Sequence, residues 1–302
     1  MKKSRTGVTI IFLLVLTAVF IIVAGALSIL LRQESSSSSW ADVIGFGSKV
    51  AVVKIEGAIT SSDDTLKQLR EYIKKSSVKA VVLRINSPGG AVAPAQEIYR
   101  EIERARQKKP VVASIETVGA SAAYYIASAA DRIVCSDGSI TGSIGVIMML
   151  PQLQELIQKL GVDVNVIKAG KYKDIGSTVR PLTEEERKIL ENFADEIHDQ
   201  FIHDVAAGRK GKIDEQKLRS VADGRFFTGK KAMELGLVDT IGNFYDAVKL
   251  AGKLGGIEGE VEVLYPKKRW DNYLDLFLES ASRGIVRASE QLRLIQRTPE
   301  IR

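Results

Sequence analysis

An α/β fold with a largely parallel sheet is the architecture this sequence predicts, with one membrane-spanning helix ahead of it. Three observations predict it. From Lys49 to about Pro266, runs rich in β-branched residues alternate with amphipathic helical patterns. A stretch from Val8 to Leu31 holds no charged residue. A serine-rich, core-poor segment separates the two, with serines at every position from Ser35 to Ser39.

The uncharged stretch is long enough, at about 1.5 Å per residue, to cross a hydrocarbon core of about 30 Å. Ala24-Gly25-Ala26 has the small residues of a cleavage site, but the apolar run continues to Leu31, which favours an uncleaved anchor. Lys2, Lys3 and Arg5 precede it, so the short N-terminus is expected to stay cytoplasmic and everything beyond the helix to lie outside the cytoplasm. The expected organisation is a cytoplasmic end (1–6), an anchor (7–32), a linker (33–48), one folded domain (49–266) and an amphipathic tail (267–302). In the tail, Leu274, Phe277, Leu278, Ile285, Leu292 and Ile295 recur at helical spacing, as in a helix that covers a core or an oligomer contact or, as the second reading, lies against a membrane.

Within the folded domain the expected strands are Val50–Ile55, Val78–Ile85, Val111–Glu116, Arg132–Ser136 and Val162–Lys168. Helices are expected over Asp63–Lys75, Pro94–Arg106 and Gln152–Leu160, and again after Leu182, where Thr183 and Glu186 have the spacing of a capping box. The 302 residues are 45% apolar and 26% charged, enough for a real core. Cys135 is the single cysteine, so no internal disulfide exists, and its apolar run reads as a buried strand with a structural thiol. The net charge of +6 is spread out and lacks basic runs interleaved with aromatics, so nucleic acid is not an expected partner.

The two histidines, His198 and His203, are five residues apart on one helix and face different ways. With no His-Glu-x-x-His, no paired cysteines and no phosphate-binding glycine loop, neither a metal nor another cofactor is expected. A hydrolase built on this chain therefore needs a base other than histidine. Arg84-Ile85-Asn86-Ser87-Pro88-Gly89-Gly90 places a glycine pair after a buried strand, either a plain tight turn or a loop whose free N–H groups would stabilise an oxyanion. Ser143 is flanked by Gly142 and Gly145, as a nucleophile on a tight turn would be. Alternatively Ser143 caps a helix over Val146–Leu150, and Ser121 and Ser139 compete for the nucleophilic role. Lys168, Lys171 and Lys173 follow the last predicted strand. A lysine becomes a general base only if its ammonium pKa, about 10.4 in water, falls by roughly three units, about 4 kcal/mol, as burial against apolar walls can achieve.

Taken together these segments resemble the signal peptide peptidase A family of serine peptidases over roughly Val50 to Asp239. The matching pieces are Asn86-Ser87-Pro88-Gly89-Gly90, Tyr124-Tyr125-Ile126-Ala127 with Ala130-Asp131, Thr141-Gly142-Ser143-Ile144-Gly145-Val146, Gly170-Lys171-Tyr172-Lys173-Asp174, Ala222-Asp223-Gly224-Arg225 and Gly236-Leu237-Val238-Asp239. The resemblance implies a crotonase-like and Clp-protease-like core of repeated ββα units, with Ser143 as nucleophile and Lys173 as general base. It implies an oxyanion hole from the glycine pair, Gly90 ahead of Gly89, with the N–H of Ile144 as partner. It also implies a membrane-anchored endopeptidase acting on cleaved signal peptides or other membrane-associated peptides. It implies as well a ring or dome of single-core subunits in which neighbours complete each active site, and it leaves open whether Ser143 and Lys173 meet within one chain or between two. This chain has Ser121-Ala122-Ala123 where the family often has Ser-Gly-Gly, and Ala95 where it often has serine, departures that bear on the substrate groove. Two rivals are an acyl-CoA enzyme on the same core, disfavoured by outward topology, and a catalytically inactive peptide-binding scaffold.

Overall fold

The computed structural model describes residues 47–266. The predicted anchor and amphipathic tail lie outside them, as does nearly all of the linker. Among the described residues, no helix is long and apolar enough to cross a membrane.

The central strands are β1 (Lys49–Glu56), β2 (Val78–Ser87) and β3 (Val111–Ala120), all parallel, in the order β3-β2-β1. β3 then divides its pairing. Its first half, through Val112 to Ile115, pairs with β4 (Arg132–Cys135); its end, through Val118 to Ala120, pairs with β5 (Ile140–Gly142). Short strands finish the sheet: β6 (Phe226–Thr228) runs antiparallel to β5, β7 (Thr240–Ile241) extends β4, and β8 (Glu262–Leu264) lies beside β1.

Alternate residues of the central strands serve two apolar layers, which is why these strands read as continuous β-branched runs. Ala51, Val53, Leu83 and Ile85 face a large cluster with α1 (Asp63–Lys74), α2 (Val92–Arg106), α3 (Ala122–Ser128) and α5 (Glu184–Gly208). Val50, Val52, Val82 and Val112 face the smaller cluster with α8 (Phe244–Leu254). The short helices α4 (Gln154–Lys159), α6 (Glu215–Val221) and α7 (Gly229–Glu234) complete the described chain. Burial raises the Cys135 thiol to about 11, so it stays protonated at neutral pH, as a structural cysteine would.

Two local expectations are corrected. Val162–Lys168 forms no strand, although Val162, Val164 and Val166 keep the alternation of one. The pattern needs a pairing edge, and no strand of the described chain lies beside it. Its valines are accordingly about half exposed, at 51%, 49% and 50%. Val146–Leu150 forms no helix, so Ser143 does not serve as an N-cap there. The capping box of Thr183 and Glu186 is present as expected, each partner satisfying the other's backbone N–H at the start of α5.

Candidate active site

The sheet delivers three turns to one place. β5, β3 and β2 are neighbours, and their carboxyl ends run into Ser143, Ser121 and the Gly89-Gly90 turn respectively. The crevice beyond the carboxyl ends of parallel strands is where α/β folds place their chemistry, because successive turns converge there.

Each turn is held by the next. The glycine turn is sewn to Ile59, whose N–H donates to Gly89 O at 2.9 Å and whose carbonyl accepts from Ala91 N at 2.8 Å. Gly89 donates its own N–H to Ser87 Oγ at 3.2 Å. The N–H of Gly90 has no acceptor among the described residues. Of the glycine pair, the structure thus leaves Gly90 available and Gly89 engaged. Both serines adopt left-handed backbone, φ 52° at Ser121 and 50° at Ser143, which is rare for residues with a side chain. Ser121 N donates to Gly142 O at 2.9 Å, tying the two turns together.

The Ala222-Asp223-Gly224-Arg225 motif acquires a physical role. Ser143 N donates to Arg225 O at 2.9 Å, and Gly224 N donates to Ile144 O at 3.0 Å, so this segment backs the serine turn like a short ladder. Gly145 allows this close approach: a Cβ there would come within 3.1 Å of Gly224 Cα, so the neighbouring backbone would have to give by a few tenths of an ångström. The N–H of Ile144, like that of Gly90, has no acceptor among the described residues. Gly142, at φ 81°, has no room for a side chain either, since its Cβ would lie 2.7 Å from the Phe227 ring.

A cleft of about 110 Å³ opens beside Gly90, Ser121 and Gly145, walled by Val92, Ala95, Ile197 and Phe201 and closed by Tyr125. Tyr125 is fixed there by its hydroxyl, which donates to the carboxylate of Asp204, and by Phe201, whose ring meets it edge-on at 4.8 Å. Arg100 satisfies the same carboxylate at 2.8 Å, so the buried acid is paired. Burial and the Asp204 hydrogen bond both hold the Tyr125 phenol protonated. The walls come from α2 and α5, which sequence periodicity identified as helices, and from α3, which it did not, and nothing in the pattern indicated that their faces meet here.

Lys173 stands apart. It lies in a run of turns after Gly170, is exposed, and makes no hydrogen bond or ion pair with its side chain among the described residues. The structure therefore sets the turns of Ser143-Ile144, Ser121 and Gly89-Gly90 at adjoining strand ends, and among the described residues no hydrogen bond joins Lys173 to Ser143. Its lysine neighbours are committed elsewhere: Lys168 pairs with Asp174, and Lys171 with Glu185 at 2.5 Å. Ser139 is also removed from contention, because it is buried and its hydroxyl donates to Glu116 O at 2.6 Å. On α5, His203 is exposed, and the buried Nε2 of His198 has no hydrogen-bond partner among the described residues. Among the described residues no cluster of histidine, cysteine and acidic side chains forms a metal site.

Left-handed serine, spare N–H groups and an apolar cleft at adjoining strand ends define the class of a serine hydrolase of the Clp-protease type. Comparison with known proteins agrees. The profile of Peptidase family S49 matches residues 103–258, and that of Clp protease matches residues 35–137. A Synechocystis sp. protein, a protease by name, is 42% identical over 212 residues, covering 70% of this chain and 76% of its own. A Methanocaldococcus jannaschii protein, also a protease by name, is 39% identical over 270 residues, covering 84% and 85%. The serine protease SPPA of Arabidopsis thaliana chloroplasts is 34% identical over 220 residues, 71% of this chain and 32% of its own. The chain belongs to peptidase family S49, the signal peptide peptidase A family, and is a serine-type protease.

Proposed function

We propose that this protein is a membrane-anchored serine endopeptidase whose dyad of Ser143 and Lys173 is completed between two copies of the chain, and whose substrates are cleaved signal peptides or other membrane-associated peptides. The observation that supports the reading is a left-handed Ser143 followed by the uncommitted N–H of Ile144, at a strand end adjoining an apolar cleft lined by Gly90, whose N–H is also uncommitted among the described residues. Such donors stabilise developing negative charge without having to reorganise.

In this reaction the Lys173 amine takes the proton of Ser143 Oγ as the oxygen bonds to the substrate carbonyl carbon. The carbonyl electrons move onto oxygen, and the Gly90 and Ile144 N–H groups donate hydrogen bonds to the oxyanion that forms. Collapse of this intermediate breaks the carbon–nitrogen bond, and the leaving amine takes the proton from Lys173. Water then attacks the acyl ester with the same amine as base, and Ser143 recovers its proton. The apolar walls of the cleft suit an apolar side chain next to the cleaved bond.

Assembly in a ring is supported by what one chain leaves unfinished. Lys173 is exposed, whereas a base at neutral pH needs apolar surroundings. Among the described residues the alternating Val162, Val164 and Val166 have no strand partner, and Ile147, Met149 and Ile167 are more than 80% exposed, at 82%, 83% and 99%. A second copy laid over this face would cover the valines and bury the lysine. The uncharged Val8–Leu31 stretch supports an anchor, with residues 49–266 as the catalytic domain outside the cytoplasm and 33–48 as tether.

The test is peptide hydrolysis by the full chain in detergent, with Ser143→Ala and Lys173→Ala variants alone and mixed. Each variant alone is expected to be inactive, and mixed assemblies to regain activity, because some sites then draw an intact serine and an intact lysine from different chains. No recovery on mixing would place both groups in one chain, and full activity of Ser143→Ala would refute the nucleophile. A folded wild-type assembly that binds peptides without cleaving them would favour an inactive scaffold.

A further inference from the structure

The loop that carries Lys173 is clamped to the first turn of α5 by a chain of charges centred on Arg180. The Arg180 guanidinium reaches Asp174 through Nε at 2.8 Å and grips both oxygens of Glu186, at 2.5 and 2.8 Å. Glu186 is a fixed point, since it is 3% exposed and closes the capping box with Thr183. Lys168 holds the other oxygen of Asp174, and Lys171 and Tyr172 hold Glu185. Asp174 is thus satisfied from two sides, although it adjoins Lys173 in sequence.

We infer that Arg180 is a positioning residue for the general base, holding the Asp174 carboxylate away from Lys173 and neutralising it so that the lysine can shed its proton. The inference rests on the proposed role of Lys173. Its chemistry is elementary: a carboxylate within a few ångströms favours the charged ammonium and works against a neutral amine. With Arg180 and Lys168 engaged, that carboxylate is turned to cations other than the base. The hydrogen bond from Arg180, then that from Lys168, hold the Asp174 acid well below the ordinary carboxylate range. Arg180, with Thr183 next, lowers Glu186 to about 2. The clamp therefore persists at every pH at which a peptidase of this kind works.

The other charged groups around the loop are accounted for. The first turn of α5 adds Glu184, beside Arg187 at 3.9 Å. The segment entering α4 packs on the loop through Leu153 N and Thr178 O at 2.7 Å, and α4 brings Glu155 and Lys159, neither paired with the loop. Among these carboxylates, Asp174 alone is bonded in sequence to Lys173, so its release has the largest effect on the amine.

The test titrates Lys173 directly in the full chain, by mass-spectrometric reading of its modification by an amine-reactive reagent across pH, alongside the pH profile of kcat/KM. Arg180→Gln is expected to move the Lys173 titration and the acidic limb of the profile upward by about one pH unit. Adding Asp174→Asn to Arg180→Gln is expected to return both to the wild-type position, and Arg180→Lys to shift them less. A titration unmoved in a folded Arg180→Gln variant, or a double variant that stays shifted, would overturn the inference and leave Arg180 with a structural role only. Loss of folding in Arg180→Gln transfers the test to Arg180→Lys, where an unmoved titration refutes it equally. Because the amine titration requires no turnover, a failure of the peptidase reading is seen separately, as a Ser143→Ala variant with undiminished activity.

Discussion

Replacing Gly90 by alanine tests the oxyanion hole by geometry alone. A Cβ built at Gly90 lies 2.2 Å from Ile59 O and 2.6 Å from Ile59 N, where ordinary contact begins near 3.4 Å. The obstruction is backbone, tied to the same turn by two hydrogen bonds, so it cannot swing aside as a side chain would. Relief requires the turn to retreat by about 1 Å, which carries the Gly90 N–H away from the oxyanion. Loss of one such donor costs about 10²–10³ in kcat, roughly 2.7–4 kcal/mol of transition-state stabilisation, and a 1 Å misplacement is worth about 10². Strain of this sort destabilises the domain by about 1–3 kcal/mol, so the variant still folds. The assay is steady-state peptide hydrolysis with thermal unfolding measured in parallel. Gly138→Ala serves as control, because nothing lies within 4 Å of a Cβ there. A folded Gly90→Ala protein with kcat within about threefold of wild type would refute the reasoning.

Three further outcomes follow from the same structure. Ala95→Leu fills part of the 110 Å³ cleft, so the kcat/KM ratio for peptides with leucine over alanine beside the cleaved bond should fall at least about tenfold; an unchanged ratio would place that side chain elsewhere. Asp239→Asn leaves the Arg209 guanidinium bonded to Gly236 O but without its buried counter-charge, which it meets at 2.6 Å with both side chains 2–3% exposed, and should cost about 3–5 kcal/mol in thermal unfolding; a loss below 1 kcal/mol would contradict a buried pair that matters. Glu186, lowered to about 2 from an ordinary 4.5 by Arg180 and Thr183, stabilises the loop fully above about pH 4.5 and loses this as pH falls toward 2. Hydrogen exchange over residues 169–182 should therefore rise across that window in wild type, and a rise no different from that in Arg180→Gln would refute the clamp.

The central strands were legible because their residues are buried on both faces, which forces continuous β-branched runs whatever the helices do. The Thr183 cap was legible because it is local. Val162–Lys168 misled for the opposite reason: period-two alternation records a preference for pairing, and a partner edge is a tertiary fact. The short strands β5 to β8 are two or three residues long, too brief for any period to register. At the site, glycines were the informative residues, since Gly142, Gly145 and the Gly89-Gly90 pair stand where backbone approaches backbone. What stayed hidden was the meeting of distant residues. Nothing in sequence spacing sets Ser121 beside Ser143, turns Gly224 and Arg225 onto the serine turn, or commits Lys168 and Lys171 to carboxylates while Lys173 stays uncommitted.

The most direct test of the nucleophile is to treat the full chain with a serine-directed fluorophosphonate and locate the adduct by mass spectrometry. Ser121 shares the left-handed backbone and itself lines the cleft, so it is the meaningful competitor. The account predicts an adduct on Ser143, retained in Ser121→Ala and lost in Lys173→Ala. An adduct on Ser121, or labelling of Ser143 that persists without Lys173, would contradict it.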